Sequence, residues 1–228
     1  MAKPFIISIA GASGVGKTTI AKLLTHILSQ PTKSVLHLSG DDLHKWERNN
    51  SNWDVYTHFN PEANNLELGD IQLNSLMEGI PIIRDLYDHD TGKFIPEMPI
   101  SSSDIIINEG LHSLYNQDMC QKFDLNIFVD TERQLAIEWK LNRDTTKRGY
   151  TSSQVESIIK RRQLDQDKHI SPQISNADVV INFTPTLYKG ISLKTFSETQ
   201  EHPIVSKLKN FYSFHKDFLL TCRTLAFD

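Results

Sequence analysis

The run Gly11-Ala12-Ser13-Gly14-Val15-Gly16-Lys17-Thr18 carries the plainest chemistry in the sequence. It fits the spacing G-x-x-x-x-G-K-[ST] without a mismatch. Glycines let such a loop curl until several backbone N–H groups point at one anion. The start of the following helix adds partial positive charge. Lys17 is expected to reach the β- and γ-phosphates of a nucleotide, and the Thr18 hydroxyl to hold Mg²⁺. Gly11, Ala12, Ser13, Gly14, Val15, Gly16, Lys17, Thr18 and Thr19 are therefore the predicted ATP site, with Lys17 also catalytic. A second metal-side acid belongs at the end of a neighbouring strand, and Glu109 stands just past the apolar run Ile105–Asn108. An ordinary strand-end acid would look the same; the complete loop upstream makes Glu109 the metal candidate.

The acceptor side is drawn more faintly. Ser39-Gly40-Asp41-Asp42-Leu43-His44 follows a predicted strand, and open α/β sheets bind ligands beyond the carboxyl ends of their strands. Phosphoryl transfer to an alcohol needs a carboxylate that orients the hydroxyl and takes its proton. Asp41 is the candidate, Asp42 the competitor, and a simple turn aspartate the bland alternative. Further on, Lys140, Arg143, Asp144, Lys147 and Arg148 share one helical face by their spacing. With Lys160, Arg161, Arg162 and Lys168 the cations outnumber Asp144, Glu156, Asp165 and Asp167. A charge run is usually a solvated face. Here it also suits a lid over a transferring phosphoryl group, whose oxygens gain charge in a dry site. His44, His58, His89 and His112 lie in polar segments near predicted strand ends, as substrate contacts or plain loop residues, and no pair has helical metal-ligand spacing. Trp46, Trp53 and Tyr56 read as packing for a long loop.

These residues need a frame. Phe5–Ala10 is short, apolar and ended by glycine, as a buried strand is, and Lys17–Leu28 has helical apolar spacing. Strands are predicted over Ser34–Ser39, Ile105–Asn108, Leu125–Asp130 and Asp178–Phe183. Pro81–Tyr87 and Phe94–Met98 flank Asp88–Lys93 as a hairpin. Asn60 as N-cap and Pro61 at the first position open a helix expected to run to Met77, with Gly79 ending it. Thr131-Glu132-Arg133-Gln134 and Thr151-Ser152-Ser153-Gln154 both match capping boxes, the first opening a helix that ends near Gly149. Strands alternating with helices mean parallel β-α-β units in a three-layer α/β sandwich.

Composition bounds the rest. The chain has 228 residues, 39% hydrophobic and 23% charged, with formal net charge -4. That is ordinary for a soluble globular chain and argues against general nucleic-acid binding. Two cysteines, Cys120 and Cys222, make no disulfide framework, so a reducing cytoplasmic setting is expected. No apolar run reaches membrane-spanning length, and Met1-Ala2-Lys3-Pro4 lacks a signal-peptide pattern. One kinase-type domain is expected over 1–185, with a lid at about 140–170 and a C-terminal appendage over 186–228. Homo-oligomers are common among such enzymes, and nothing in the sequence marks a self-complementary surface.

With these residues in place, the sequence resembles the phosphoribulokinase/uridine kinase family of P-loop kinases from about Ile6 to Phe183. Asp41 matches the strand-end aspartate that uridine kinases carry. Gly40, Asp41, His44 and Arg48 are similar to the Gly-Asp-x-x-His segment and following arginine of phosphoribulokinases. Thr57-His58-Phe59-Asn60-Pro61-Glu62-Ala63-Asn64, Glu109-Gly110-Leu111-His112 and the series Lys140, Arg143-Asp144, Arg148-Gly149-Tyr150 resemble further segments of those enzymes in order. In Tyr87-Asp88-His89-Asp90-Thr91-Gly92, glycine takes the place at which uridine kinases read the base with histidine. The resemblance implies a sheet ordered 2-3-1-4-5. It implies that Asp41 is the base, that Glu109 serves Mg²⁺, and that Arg143 and Asp144 serve catalysis. His44, Arg48, Lys140 and Arg148 would grip a sugar phosphate, with Tyr87, His89 and His112 as further acceptor contacts. The expected activity is ATP-dependent phosphoryl transfer to a small sugar or sugar phosphate. A uridine or cytidine kinase is the second reading, and an ATP-sensing regulatory protein without transfer is the third.

Overall fold

Isoleucine repeated without a polar break, as in Ile105-Ile106-Ile107, is the signature of a strand covered on both faces. A computed structural model describes residues 3–29, 31 and 33–183 and places that segment inside a parallel sheet. The strands and helices run β1 Phe5–Ala10, α1 Lys17–Leu28, β2 Val35–Ser39, α2 Asn52–Val55, α3 Leu66–Met77, β3 Ile82–Asp88, β4 Lys93–Ile100, β5 Ile105–Gly110, α4 Gln117–Cys120, β6 Leu125–Thr131, α5 Arg133–Lys147, α6 Ser152–Asp165 and β7 Val179–Phe183. The main sheet is ordered β2-β5-β1-β6-β7, and every pairing in it is parallel. Setting the separate hairpin β3-β4 aside and numbering the parallel strands along the chain gives 2-3-1-4-5, the expected order.

Alternate side chains along each strand go to opposite faces. Ile7, Ile9, Ile105, Ile107, Ile127, Val129 and Ile181 pack with Ile20, Ala21, Leu24 and Leu28 of α1. Ile6, Leu38 and Ile106 pack with Leu73 and Leu76 of α3, Met119 of α4 and Ile82 of the hairpin. Two cores therefore clamp the sheet, and the carboxyl ends of β1, β2, β5 and β6 are held in fixed register. Ile9 and Ser39 both stand opposite Glu109, so the phosphate loop, the Asp41 turn and the metal candidate leave the sheet side by side.

Two local expectations are corrected. The helix expected from Asn60 to Met77 is a one-turn 3-10 segment, Pro61–Ala63, followed by α3 from Leu66. Asn60 does cap it, accepting from the Glu62 N–H at 3.0 Å. The chain breaks at Asn64-Asn65 because that backbone is used elsewhere. Asn65 N–H donates to Leu43 O at 2.7 Å, Lys45 N–H donates to Ala63 O at 3.0 Å, and Asn64 bridges His44. The second correction is Thr131, which caps nothing. It ends β6, buried, and its hydroxyl donates to Val15 O at 2.9 Å, while Glu132 takes the cap position of α5 without a side-chain bond. Thr151 does form the full capping box with Gln154. Among the described residues no helix is long and apolar enough to cross a membrane. The appendage expected over 186–228 lies outside the described residues.

Candidate active site

The phosphate loop is shaped by sterics at its first glycine and braced from two sides. A Cβ on Gly11, at φ 148°, would sit 2.3 Å from Val129 O. Thr131 ties the loop to β6, and α5 lies across it, with Lys140 Cβ 3.1 Å from where a Gly14 Cβ would be. Lys17 is buried and donates to Ala12 O at 2.9 Å. Burial pulls its pKa below the ordinary range, opposed by the charges of Glu109 and Asp41. The Thr18 hydroxyl lies 3.2 and 3.3 Å from the two Glu109 carboxylate oxygens. One hydroxyl beside one carboxylate suits Mg²⁺, which takes few protein ligands and keeps waters and phosphate oxygens in its shell.

The structure separates the neighbours Asp41 and Asp42. The Asp42 side chain is 8% exposed, accepts from Tyr87 N–H at 2.8 Å and pairs with Arg84 Nε at 3.3 Å. Arg84 also donates to Ser39 O and Gln72 Oε1, so Asp42 belongs to a buried knot that pins the hairpin to the turn. Asp41 is 33% exposed, with His89 Nε2 at 3.1 Å and His44 Nε2 at 3.7 Å. Burial raises its pKa, but the His89 hydrogen bond and the charges of His44, His89 and Lys17 outweigh burial and hold the carboxyl well below the usual range. His44 is buried, and that burial lowers its own pKa.

Above this pair, α5 delivers a cluster of cations. Asp144, buried, accepts from Lys140 Nζ at 2.8 Å and Arg143 Nε at 2.8 Å, with Arg148 NH1 at 3.5 Å. Burial pulls Lys140 down to about 8 despite Asp144; burial works against Asp144 too, yet Arg143 and Lys140 hold it at about 2. Arg143 reaches the phosphate loop, 3.4 Å from Ser13 Oγ. Arg148 approaches the hairpin turn, 3.5 Å from His89 Nδ1. Arg48 packs against that turn, donating to the carbonyls of His89 and Asp90. Tyr87 packs against both His44 and His89. His112 is set deeper, its Nε2 3.3 Å from His58 O, and burial lowers it to about 4. The sequence-predicted residues thus gather at one mouth, with Tyr87 and His89 entering from the hairpin and Arg48 from the loop that follows the Asp41 turn.

Two residues absent from that prediction stand at the same mouth. Arg162 of α6 lies over the Phe59 ring at 5.4 Å and 2.8 Å from His58 Nδ1, with its Nε buried and unpaired. Among the described residues no carboxylate lies within ion-pair distance of it, and burial lowers it to about 10. His37 of β2 lies 3.4 Å from Glu109 Oε2. Arg162 was visible only as one member of a charge run, and His37 only as a polar residue in an apolar strand.

Residues 6–188 match the Phosphoribulokinase / Uridine kinase family. The chain is 33% identical over 181 residues to a phosphoribulokinase of Synechocystis, covering 79% of this chain and 54% of that one. It is 31% identical over 198 residues to the chloroplastic phosphoribulokinase of Spinacia oleracea, covering 79% and 49%. This chain therefore spans about half the length of these relatives. The solved phosphoribulokinase of Rhodobacter spheroides superposes with a TM-score of 0.67 at 26% identity, covering 81% of this chain and 72% of that one. By the match along 6–188 and the shared architecture, the chain belongs to the phosphoribulokinase/uridine kinase family.

Proposed function

We propose that this chain is an ATP- and Mg²⁺-dependent kinase that transfers the γ-phosphoryl group to a hydroxyl of a small sugar or sugar phosphate. The observation that carries the reading is Asp41. It is an ionised, partly exposed carboxylate under the charge of Lys17 of the phosphate loop, while Asp42 is consumed by Arg84 and Tyr87 N–H. Asp41 takes the hydroxyl proton as the acceptor oxygen bonds to the γ-phosphorus and the bond to the ADP oxygen breaks. Lys17 and Arg143 face the charge that spreads over the transferred group. Thr18 and Glu109 would hold Mg²⁺, which neutralises phosphate charge. Lys140, Asp144 and Arg148 belong to a lid over about 140–170, expected to exclude water when closed.

A phosphate-bearing acceptor is favoured by Arg48 and Arg148, which converge on the His89 turn, since guanidinium matches phosphate oxygens two at a time. His44, Tyr87, His89 and His112 supply the remaining acceptor contacts. A nucleoside acceptor is disfavoured at Gly92, where φ is 73° and a Cβ would fall 2.5 Å from Arg48 Cβ. The space a base-reading side chain would need there is filled by Arg48. The relatives named phosphoribulokinase agree with a sugar-phosphate acceptor. Assaying ADP release over pentose phosphates, free sugars, pentitols and nucleosides tests the reading. Turnover confined to a phosphorylated sugar is expected. Turnover with uridine or cytidine alone would replace the acceptor assignment, and tight ATP binding without any turnover would point to a sensor.

A further inference from the structure

We propose that His37 is a positioning residue for the cation: it engages one oxygen of Glu109 and so presents the other to the metal shell. The inference rests on the kinase reading above. His37 sits in β2 opposite Ile107, two residues short of the point where Ser39 stands opposite Glu109. Its Nε2 is buried without a hydrogen bond of good geometry, and Glu109 Oε2 lies 3.4 Å away. Thr18 does not choose between the two carboxylate oxygens, being 3.3 Å from one and 3.2 Å from the other. His37 therefore supplies the asymmetry. An N–H on Nε2 aimed at Oε2 leaves Oε1 free for the cation or its bound water. A small turn of the carboxylate satisfies a buried nitrogen that is costly to leave unpaired. Such outer-shell partners fix the direction of a metal-binding group and tune affinity, commonly by about 10- to 100-fold. Lys17, the cation whose charge acts on Glu109 from the phosphate loop, donates instead to Ala12 O.

The test uses the full chain with ADP and Mn²⁺ as a paramagnetic probe, reading free Mn²⁺ by electron paramagnetic resonance. His37→Val should weaken Mn²⁺ uptake about 10- to 100-fold. His37→Gln, which can still donate an N–H, should stay within about threefold of the parent, a small fraction of that loss. Valine suits a strand, so melting without cation should be unchanged, which separates positioning from stability. Replacing histidine nitrogen by ¹⁵N should leave the spin-echo modulation of the bound ion unaltered. Equal Mn²⁺ affinity in His37→Val, or a glutamine variant as weak as the valine one, overturns the proposal. Direct histidine nitrogen coupling overturns it in favour of ligation. Failure of the parent chain to take up Mn²⁺ with ADP overturns the kinase reading together with it.

Discussion

Replacing Gly110 with alanine tests whether bare backbone sets the spacing between the proposed base and the metal carboxylate. Gly40 and Gly110 face each other where β2 and β5 end, one residue from Asp41 and from Glu109 respectively. A Cβ on Gly110 would fall 2.9 Å from Gly40 Cα and 3.0 Å from Ser113 Oγ. Carbon atoms rest at about 3.5–4.0 Å, so the two backbones must part by about 0.6–1 Å. A misplacement of that size between reacting groups costs about 10²-fold in rate. The overpacking itself costs about 1–3 kcal/mol, and a domain of this size loses about 2–4 °C of Tm per kcal/mol. Steady-state ADP release, ADP titration and thermal melting give the three readouts. kcat should fall about 10²-fold while ADP affinity holds, because the phosphate loop is untouched. Gly40→Ala, whose Cβ would sit 2.8 Å from Gly110 Cα, should behave alike. A Gly110→Ala enzyme with full kcat and a lowered Tm would refute the reasoning. It would mean that the strain is relieved away from the site and that the two backbones do not gauge the distance between the carboxylates.

Three further substitutions, with Asp42→Asn as the comparison for Asp41, probe the acceptor mouth. Asp41→Asn should cut kcat by about 10²–10⁴ with nucleotide affinity nearly intact, whereas the same loss from Asp42→Asn would reassign the base. Arg148→Ala should raise KM for phosphorylated acceptors more than for unphosphorylated ones, and equal effects on both would remove it as a phosphate ligand. Arg162→Met should cut kcat by about 10²–10³, the usual effect of removing one preorganised donor. It should leave Tm equal or higher, because it deletes a desolvated cation that has no carboxylate within ion-pair distance among the described residues; a loss of Tm without loss of kcat would make Arg162 structural.

The frame was legible because its signals are redundant. The triple isoleucine of β5, the glycine loop after β1 and the helical spacing of α1 together point to a covered parallel sheet, and the structure uses all three as read. The misreadings fall where local and tertiary hydrogen bonding compete. Thr131 has the residue type and offset of a cap, but it lies at the end of a buried strand beside the phosphate loop. Binding Val15 O there secures the loop, and no short-range pattern reports that carbonyl. Asn64 and Asn65 likewise continue an apparent helix, yet the chain from 43 to 45 claims their backbone groups. In both cases a partner distant in sequence decided the outcome.

The site divides along the same line. Loop residues were legible because a phosphate cradle is local: one segment supplies the amides, the lysine and the hydroxyl. The acceptor mouth is assembled from the Asp41 turn, the hairpin, α5 and α6, and spacing cannot tell a solvated cation from a desolvated one. Lys147 and Arg162 carry the same charge in the same run, but only Arg162 faces Phe59 and His58 with an unpaired Nε. Likewise Asp41 and Asp42 are indistinguishable as letters. What separates them is Arg84, more than forty positions away, which engages the second carboxylate and leaves the first to His89 and the charge of Lys17. The buried ion pair matters here less for stability, where such pairs add little net free energy, than for fixing which of two equivalent carboxylates remains free to act on an acceptor hydroxyl.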